Sequence, residues 1–410
     1  MKTFEQKLHN YARLAVDKGV NIQPGQTLVI AAPIDAAPFV RRLAEAAYEA
    51  GAKHVYPEWA DDELTKIKYE KAPEEAFHEF PSWRAESREQ LAREGAAFIT
   101  VKSTDPDLLK GVDPDKIANA NNAAGAAMEG FRDYIQADRV SWLVISTPSS
   151  GWAKKVFPDE PEDRAIDLLW ERIFSAVRAD TEDPVQAWDE HNRTLRAKVD
   201  WLNAKKYKSL HYTAPGTDLE IGLPDGHVWA GGGSTNTSGV PFIPNMPTEE
   251  VFTAPHKDFV NGFVTNTKPL NYGGNVIDQF TLHFKNGAVT DMEAGEGEDT
   301  LRHLINSDEG AARLGEVALV PHSSPISQSG ILFFNTLFDE NASNHIALGS
   351  AYAFCVENGP EMNKDQKEQA GLNTSIVHVD FMIGNENMNI DGILPDGTKE
   401  PVFRNGEWAE

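Results

Sequence analysis

Gly25-Gln-Thr-Leu-Val-Ile-Ala-Ala-Pro33, then Ala36 to Ala50, then Lys53-His-Val-Tyr56, read in succession as strand, helix and strand. The first and third runs are short and rich in β-formers, and the second repeats apolar positions at helical spacing before a Gly51 stop. The alternation continues along the chain. Arg84 to Arg93 predicts a helix closing near Gly95, Ala96-Ala-Phe-Ile-Thr-Val101 a strand, Asp115 to about Ala137 a helix, and Ser141-Trp-Leu-Val-Ile-Ser146 a strand. Helices between successive strands imply crossover connections, so these strands are expected to lie parallel in one sheet covered by the helices. The turn after the first strand, Ala-Ala-Pro-Ile-Asp-Ala-Ala-Pro, contains no glycine, which disfavours a pyrophosphate cradle and with it a dinucleotide-dependent oxidoreductase.

Outside this core the chain opens on a helix with Phe4, Leu8, Tyr11 and Leu14 or Ala15 on one face. Residues Glu162 to about Ala204 predict two helices parted at Pro184. Beyond Lys208 the texture changes to short β runs cut by Gly, Pro, Asn and Asp: Ser209–Thr213, Asp218–Ile221, Gly262–Thr265 and Gln279–Phe284. We therefore expect an α/β amino-terminal domain with a parallel sheet over 1–205 and a β-rich α+β carboxy-terminal domain over 206–410. The length of 410 residues fits two domains rather than one.

Hydrophobic residues at 40% and charged residues at 25% argue against global disorder. The 38 Lys+Arg against 63 Asp+Glu leave a net charge of -25, which repels nucleic-acid phosphates and anionic membranes. The opening segment lacks the apolar core of a leader peptide, and no apolar run is long enough to span a bilayer, so a cytoplasmic protein is expected. Cys355 is the single cysteine; it excludes an internal disulfide and multi-thiolate zinc sites, and its apolar surroundings predict a buried, inert thiol.

Most of the twelve histidines are scattered singly; two are not. In Ser375-Ile-Val-His378-Val-Asp380-Phe-Met-Ile383, an imidazole and a carboxylate two apart point to one face of a strand. In Phe338-Asp-Glu-Asn-Ala-Ser-Asn-His345-Ile-Ala-Leu-Gly-Ser-Ala-Tyr352, an Asp/Asn cap predicts a helix with His345 and Tyr352 two turns apart on one face. Leu314-Gly-Glu316-Val-Ala-Leu-Val320 is an apolar strand with a lone carboxylate, whose burial calls for a cation. Met246-Pro-Thr-Glu249-Glu250-Val-Phe-Thr-Ala254 places acids at the start of another strand. Glu250, Glu316, His345, His378 and Asp380 thus form an oxygen and nitrogen donor set suited to zinc, cobalt or manganese. Five donors overfill one catalytic ion but suit two divalent ions about 3.5 to 4 Å apart.

These segments resemble those of the thermophilic aminopeptidase family, the M29 metallopeptidases. Pro247–Pro255, Gly315–Pro321, Asn335–His345 and His378–Gly384 carry the resemblance, in order, and it extends over the whole chain. It implies an exopeptidase acting on peptides with a free amino terminus, an α/β first domain, a second domain holding two metal ions, and a homodimer enclosing the active sites. It also implies that Glu250, Glu316, His345, His378 and Asp380 are the metal ligands and Tyr352 the active-site tyrosine.

The expected reaction is attack on the first peptide carbonyl by a water acidified between the metals. Glu316 is the expected proton acceptor and Tyr352 the donor to the oxyanion. Glu340 is an alternative acceptor, although its position also fits an acid at a helix start. No role falls to His322, and Gly231-Gly-Gly-Ser-Thr-Asn-Thr-Ser-Gly239 fits either a flexible loop near the site or a plain connector. Two rivals use the same residues otherwise: another dinuclear hydrolase, such as an amidohydrolase or phosphoesterase, and a non-catalytic binding protein.

Overall fold

The computed structural model describes residues 2–103, 105–272 and 275–409. The chain divides into two compact units, residues 1–190 with 233–247 and residues 191–232 with 248–410. In the first unit, β1 (Thr27–Pro33), β2 (His54–Ala60), β3 (Ala97–Lys102) and β4 (Trp142–Ser146) form a sheet of order β2-β1-β3-β4. All of its pairings are parallel, as the strand and helix alternation predicts. The helix Phe4–Leu14 is closed at its start by a capping box between Thr3 and Gln6 and buries Leu8, Tyr11, Ala12 and Leu14, while Phe4 stays exposed. The single helix expected up to Ala137 is two, Pro114–Ala127 and Glu129–Gln136, meeting at Met128.

The helix-rich stretch from Glu162 is also two helices, Glu162–Ala176 and Pro184–Lys205, with the second beginning at the expected proline and running into the second unit. The second unit is built of antiparallel sheets. An eight-stranded sheet runs from Ala288–Glu293 at one edge, through Val260–Thr265, Thr217–Gly222, Ser209–Ala214 and Asn389–Ile393, to Glu407–Trp408 at the other. A five-stranded sheet contains β5 (Ala230–Gly231), β6 (Val251–Thr253), β7 (Leu314–Leu319), β8 (His345–Gly349) and β9 (His378–Met382), in the order β9-β8-β7-β6-β5. One apolar core joins the two sheets. It takes Leu210, Ile221, Val264 and Ile390 from the first, and Val251, Val317, Leu319, Ile346, Leu348 and Phe381 from the second.

One expectation fails here. His345 and Tyr352 do not share a helix: Thr336–Asp339 is a single helical turn, and His345–Gly349 is β8. The polar residues that read as a helix start serve that turn instead, since Asp339 accepts from the Phe333 and Asn335 N–H groups and Asn341 donates to the Leu337 carbonyl. After it, Ser343 is fully extended (φ -164°, ψ 168°) and Gly349 has φ +110°, a value no right-handed helix admits. Between them lies a strand buried on both faces, for which periodicity cannot separate helix from strand.

Register then decides which side chains share a face. Ala347 on β8 lies opposite Glu316 on one side and Asp380 on the other, and Ala318 on β7 lies opposite His345 and Phe252. Side chains alternate along a strand, so Glu316, His345, His378, Asp380 and Met382 all lie on the face away from the core. Leu314 would belong to that face too, being two residues from Glu316, but the ladder slips between them and Leu314 opposite Leu348 packs into the core. The slip is a β-bulge with Gly315 as the extra residue. A Cβ at Gly315 would run into the carbonyl oxygens of Gly349 and Ser350.

Gly315→Ala is therefore expected to lower stability by about 1–3 kcal/mol through overpacking and to weaken divalent-metal binding by displacing Glu316. Thermal denaturation and a metal titration on the same protein check it. A variant with wild-type melting and wild-type metal uptake would show that the bulge does not set the direction of Glu316.

Candidate metal centre

The face of the five-stranded sheet away from the apolar core brings together all five donors expected from the sequence. Glu250 immediately precedes β6, Glu316 lies on β7, His345 opens β8, and His378 and Asp380 lie on β9. Their ligand atoms form two groups, Glu250–Glu316–His345 and Glu316–His378–Asp380, within each of which all atoms lie inside 4.8 Å of one another. Glu316 belongs to both. Its Oε1 is 3.8 Å from His345 Nε2, and its Oε2 is 3.2 Å from His378 Nε2. Glu250 Oε2 is 3.2 Å from His345 Nε2, and Asp380 Oδ1 is 3.5 Å from His378 Nε2. Ala318 and Ala347, the small residues between these strands on the same face, leave the room for the longer side chains to converge.

Each imidazole is held from behind. His345 Nδ1 lies 3.1 Å from the Ser343 carbonyl oxygen, and His378 Nδ1 lies 2.7 Å from that of Ser350. With Nδ1–H donated to a carbonyl, Nε2 faces the carboxylates, the arrangement common to metal-binding histidines. The donor set fits divalent ions by its chemistry: three carboxylates and two imidazoles converge without a lysine or arginine among them. Asp380 Oδ1 is buried without a hydrogen-bond partner among the described residues, an acceptor placed where a cation would satisfy it.

Without a metal the groups neutralise one another. Burial alone would lower His345, yet the Glu250 carboxylate, with Asp380 and Glu316 nearby, pushes it up to about 10. Burial is likewise outweighed at His378, which Asp380 and Glu316 push up to about 11. Burial raises Glu316 to about 7 against the pull of His378. Asp380 is held low despite its burial, by His378 and His345.

Two more groups stand in this field. Glu340 lies outside both donor groups, but burial and the neighbouring Glu250 and Asp380 carboxylates hold it well above the ordinary range. It is in the 3-10 turn Glu340–Ala342, where the His345 imidazole and the Glu316 carboxylate also act on it. Tyr352 sits beside His378, ring centroids 4.9 Å apart, and stacks on Phe354. Burial and the carboxylates of Glu316 and Asp380 raise its phenol, which therefore stays protonated. Cys355 is buried with its thiol raised by burial, in keeping with an inert packing role. His322 instead bonds the Ser327 hydroxyl. The Gly231–Gly239 stretch is partly strand, since Ala230–Gly231 is β5 and Ser234–Thr235 pairs with Pro241–Phe242.

Sequence reasoning missed the two buried amides that fix the strand ends. Asn341 Oδ1 accepts from the Glu249 N–H at 2.7 Å, while its own amide donates to the Leu337 carbonyl. Asn344 Oδ1 accepts from the Val320 N–H, and its backbone carbonyl accepts from Ile383 and Gly384. The signal was the run Asn341-Ala-Ser-Asn344 beside a candidate ligand, which also reads as a cap.

The profile of the thermophilic metalloprotease family (M29) matches residues 4–408. The chain belongs to that family. It is 58% identical over 409 residues to aminopeptidase AmpS of Bacillus subtilis, with all of both chains covered. It is 57% identical to aminopeptidase 2 of Geobacillus stearothermophilus over all of this chain and 99% of that one. The solved structure of wild-type AmpT from Thermus thermophilus superposes with a TM-score of 0.95 at 42% identity, covering both chains fully. The parallel amino-terminal sheet and the antiparallel carboxy-terminal sheets are thus close to those of AmpT. Among the described residues no helix is long and apolar enough to cross a membrane.

Raised imidazole pKa values make the metal-free protein bind more protons than its unfolded chain from about pH 6.5 upward. Their stabilising contribution is full below about pH 6.5 and is lost as pH climbs through about 10 and about 11. Divalent binding must expel these protons, so affinity is expected to rise with pH, with about two protons released from the imidazoles at pH 7 and further release from the raised Glu316 and Glu340 carboxyls. Calorimetric titration with zinc in buffers of different ionisation enthalpy measures the number; no release would contradict the ligand set.

Proposed function

We propose that the chain is a metal-dependent aminopeptidase that holds two divalent ions, zinc, cobalt or manganese, on the face of the five-stranded sheet away from the apolar core. The observation that carries this reading is the division of Glu316, one carboxylate oxygen toward His345 and Glu250, the other toward His378 and Asp380. A carboxylate shared between two donor groups is what a pair of ions about 3.5 to 4 Å apart requires. Glu250 and His345 would hold one ion, His378 and Asp380 the other, with Glu316 between them. Such ions, when bound, supply Lewis acidity toward a carbonyl oxygen and a water acidified toward neutrality.

The chain's own groups do the rest. Glu316 is the expected carrier of the attacking water's proton to the leaving amine; where both of its oxygens are held by the ions, Glu340, which lies outside both donor groups, takes that role. Tyr352, kept protonated by burial and by the neighbouring acids, donates its hydroxyl hydrogen to the oxyanion. Glu340 would lose its proton beside two dications and face them as a fourth carboxylate, matching their four positive charges. The acidic field of the whole chain, net charge -25, draws the ammonium of a free amino terminus inward, in keeping with cleavage at the first residue of a peptide. Family membership and the aminopeptidase names of the relatives support this substrate class.

His378→Ala and Glu316→Gln are expected to reduce bound metal from two ions per chain to one or none and to lower kcat at least about 1000-fold. Tyr352→Phe should keep the metal and lose about 100-fold in kcat. Elemental analysis and turnover of an alanine or leucine anilide check both, and the N-acetylated anilide should not be cleaved. Equal turnover of free and acetylated substrates would point away from an aminopeptidase.

A further inference from the structure

A cavity of about 100 Å³ opens beside Asp380 in the second unit. Its apolar walls come from Leu270, Val276, Leu332, Phe334 and Met382. Met382 follows Asp380 by two residues on β9 and pairs with His345 across the ladder, so this wall is continuous with the face that carries the candidate ligands. The cavity also touches a second carboxylate, Asp339, but that group is committed elsewhere. Its two oxygens accept from the Phe333 N–H at 2.8 Å and the Asn335 N–H at 3.0 Å. They hold a turn in which Phe334 adopts φ +53° and its ring faces the cavity. Asp380 Oδ1, by contrast, has no hydrogen bond among the described residues. The cavity therefore has apolar walls with Asn271, Asn335 and Thr336 at its lining, and neither of its acids is left to pair with a basic side chain, since Asp339 holds backbone N–H groups and Asp380 belongs to the ligand set, 3.5 Å from His378.

We propose that this recess receives the side chain of the first residue of the peptide and selects apolar side chains of about leucine or methionine size over alanine and lysine. The inference rests on the aminopeptidase reading above. The α-amine, the side chain and the carbonyl carbon to be attacked all hang from one Cα. With the ammonium drawn to the carboxylates and the carbonyl set over the ligand groups, the side chain is left a place within a bond or two of both, and this recess touches Asp380 itself. Its volume admits one side chain rather than a longer stretch of peptide. Desolvating that side chain against five apolar residues favours leucine over alanine, whereas a lysine ammonium would be buried without an acid to meet it.

The test compares kcat/KM of the metal-loaded enzyme on Leu-Ala-Ala, Lys-Ala-Ala, Ala-Ala-Ala and Ala-Leu-Ala. Wild type should prefer Leu-Ala-Ala to both Ala-Ala-Ala and Lys-Ala-Ala by about tenfold or more. Leu332→Trp, at a half-buried position outside any helix or strand, should shrink the leucine-to-alanine ratio at the first residue by about tenfold and leave the ratio at the second residue alone. Val276→Ala should widen the recess and raise Phe-Ala-Ala relative to Leu-Ala-Ala. Calorimetry with the free products gives a readout apart from turnover, leucine binding more tightly than alanine to wild type and losing that advantage in Leu332→Trp. Thermal melting establishes that each variant is folded. Unchanged first-residue ratios in both folded variants, or changes that follow the second residue instead, would overturn the assignment of the recess. Failure of wild type to cleave any of the peptides would overturn the aminopeptidase reading, and this inference with it.

Discussion

Everything at the centre of the second unit depends on one carboxylate shared by two imidazoles. Glu316 is buried on an inner strand of a sheet, where an unpaired anion would cost several kcal/mol. It is tolerated because His378 stands 3.2 Å from one oxygen and His345 stands 3.8 Å from the other. These imidazoles are themselves raised by Glu250 and Asp380, so the five groups form a mutually compensating set. Histidine suits this position for a reason lysine and arginine do not share. It offers a cation when protonated and a neutral nitrogen donor when not, so the same geometry is stable before and after a metal takes over the positive charge.

The sheet register converts that chemistry into a place. Glu316 and Asp380 lie across β8 from one another, two inter-strand spacings or about 10 Å apart in backbone terms. Only a small residue between them lets the side chains lean together, and Ala347 occupies that position. Ala318 does the same between Phe252 and His345. The bulge at Gly315 allows Leu314 to enter the core while Glu316, two residues on, turns out of it. A regular strand would have to sacrifice one of the two, since a one-residue slip exchanges the faces.

The amino-terminal sheet was legible in the sequence because its strands are short apolar runs separated by helices with clear stops, such as Gly51 and Gly95. The site was legible wherever a polar residue interrupted an apolar strand, as at Glu316, or stood two from another donor, as at His378 and Asp380. The segment from Asp339 to Tyr352 was not. Its Asp and Asn residues are helix-cap residues by type, but here they satisfy backbone N–H groups of neighbouring strands and turns: Asp339 takes Phe333 and Asn335, Asn341 takes Glu249, and Asn344 takes Val320. The bonds of Asn341 and Asn344 have no local signature, because their partners lie 92 and 24 residues away, whereas Asp339 reaches back only to its own turn. Glu340 reads either as an alternative proton acceptor or as a helix-start acid, and local sequence does not separate the two, since Glu250 and Asp380 come beside it only in the fold.

These buried amides explain why the ligands can be carried near strand ends without loss of order. Glu250 precedes β6 and His345 opens β8, positions where a ladder normally frays. Asn341 holds the backbone beside Glu250 by its amide oxygen, and Ser324 donates its hydroxyl to the Asn341 carbonyl. Asn344 ties the end of β7 to the residues that follow β9, directly across from His345. Each of these bonds is worth only about 0.5–1.5 kcal/mol to stability. Their larger effect is geometric, since a cation site tolerates errors of only a few tenths of an ångström and the five donors come from three strands and the residue that precedes a fourth. The cost is a polar network buried beside an apolar core, acceptable because its members find partners and because the face it supports was never available for packing.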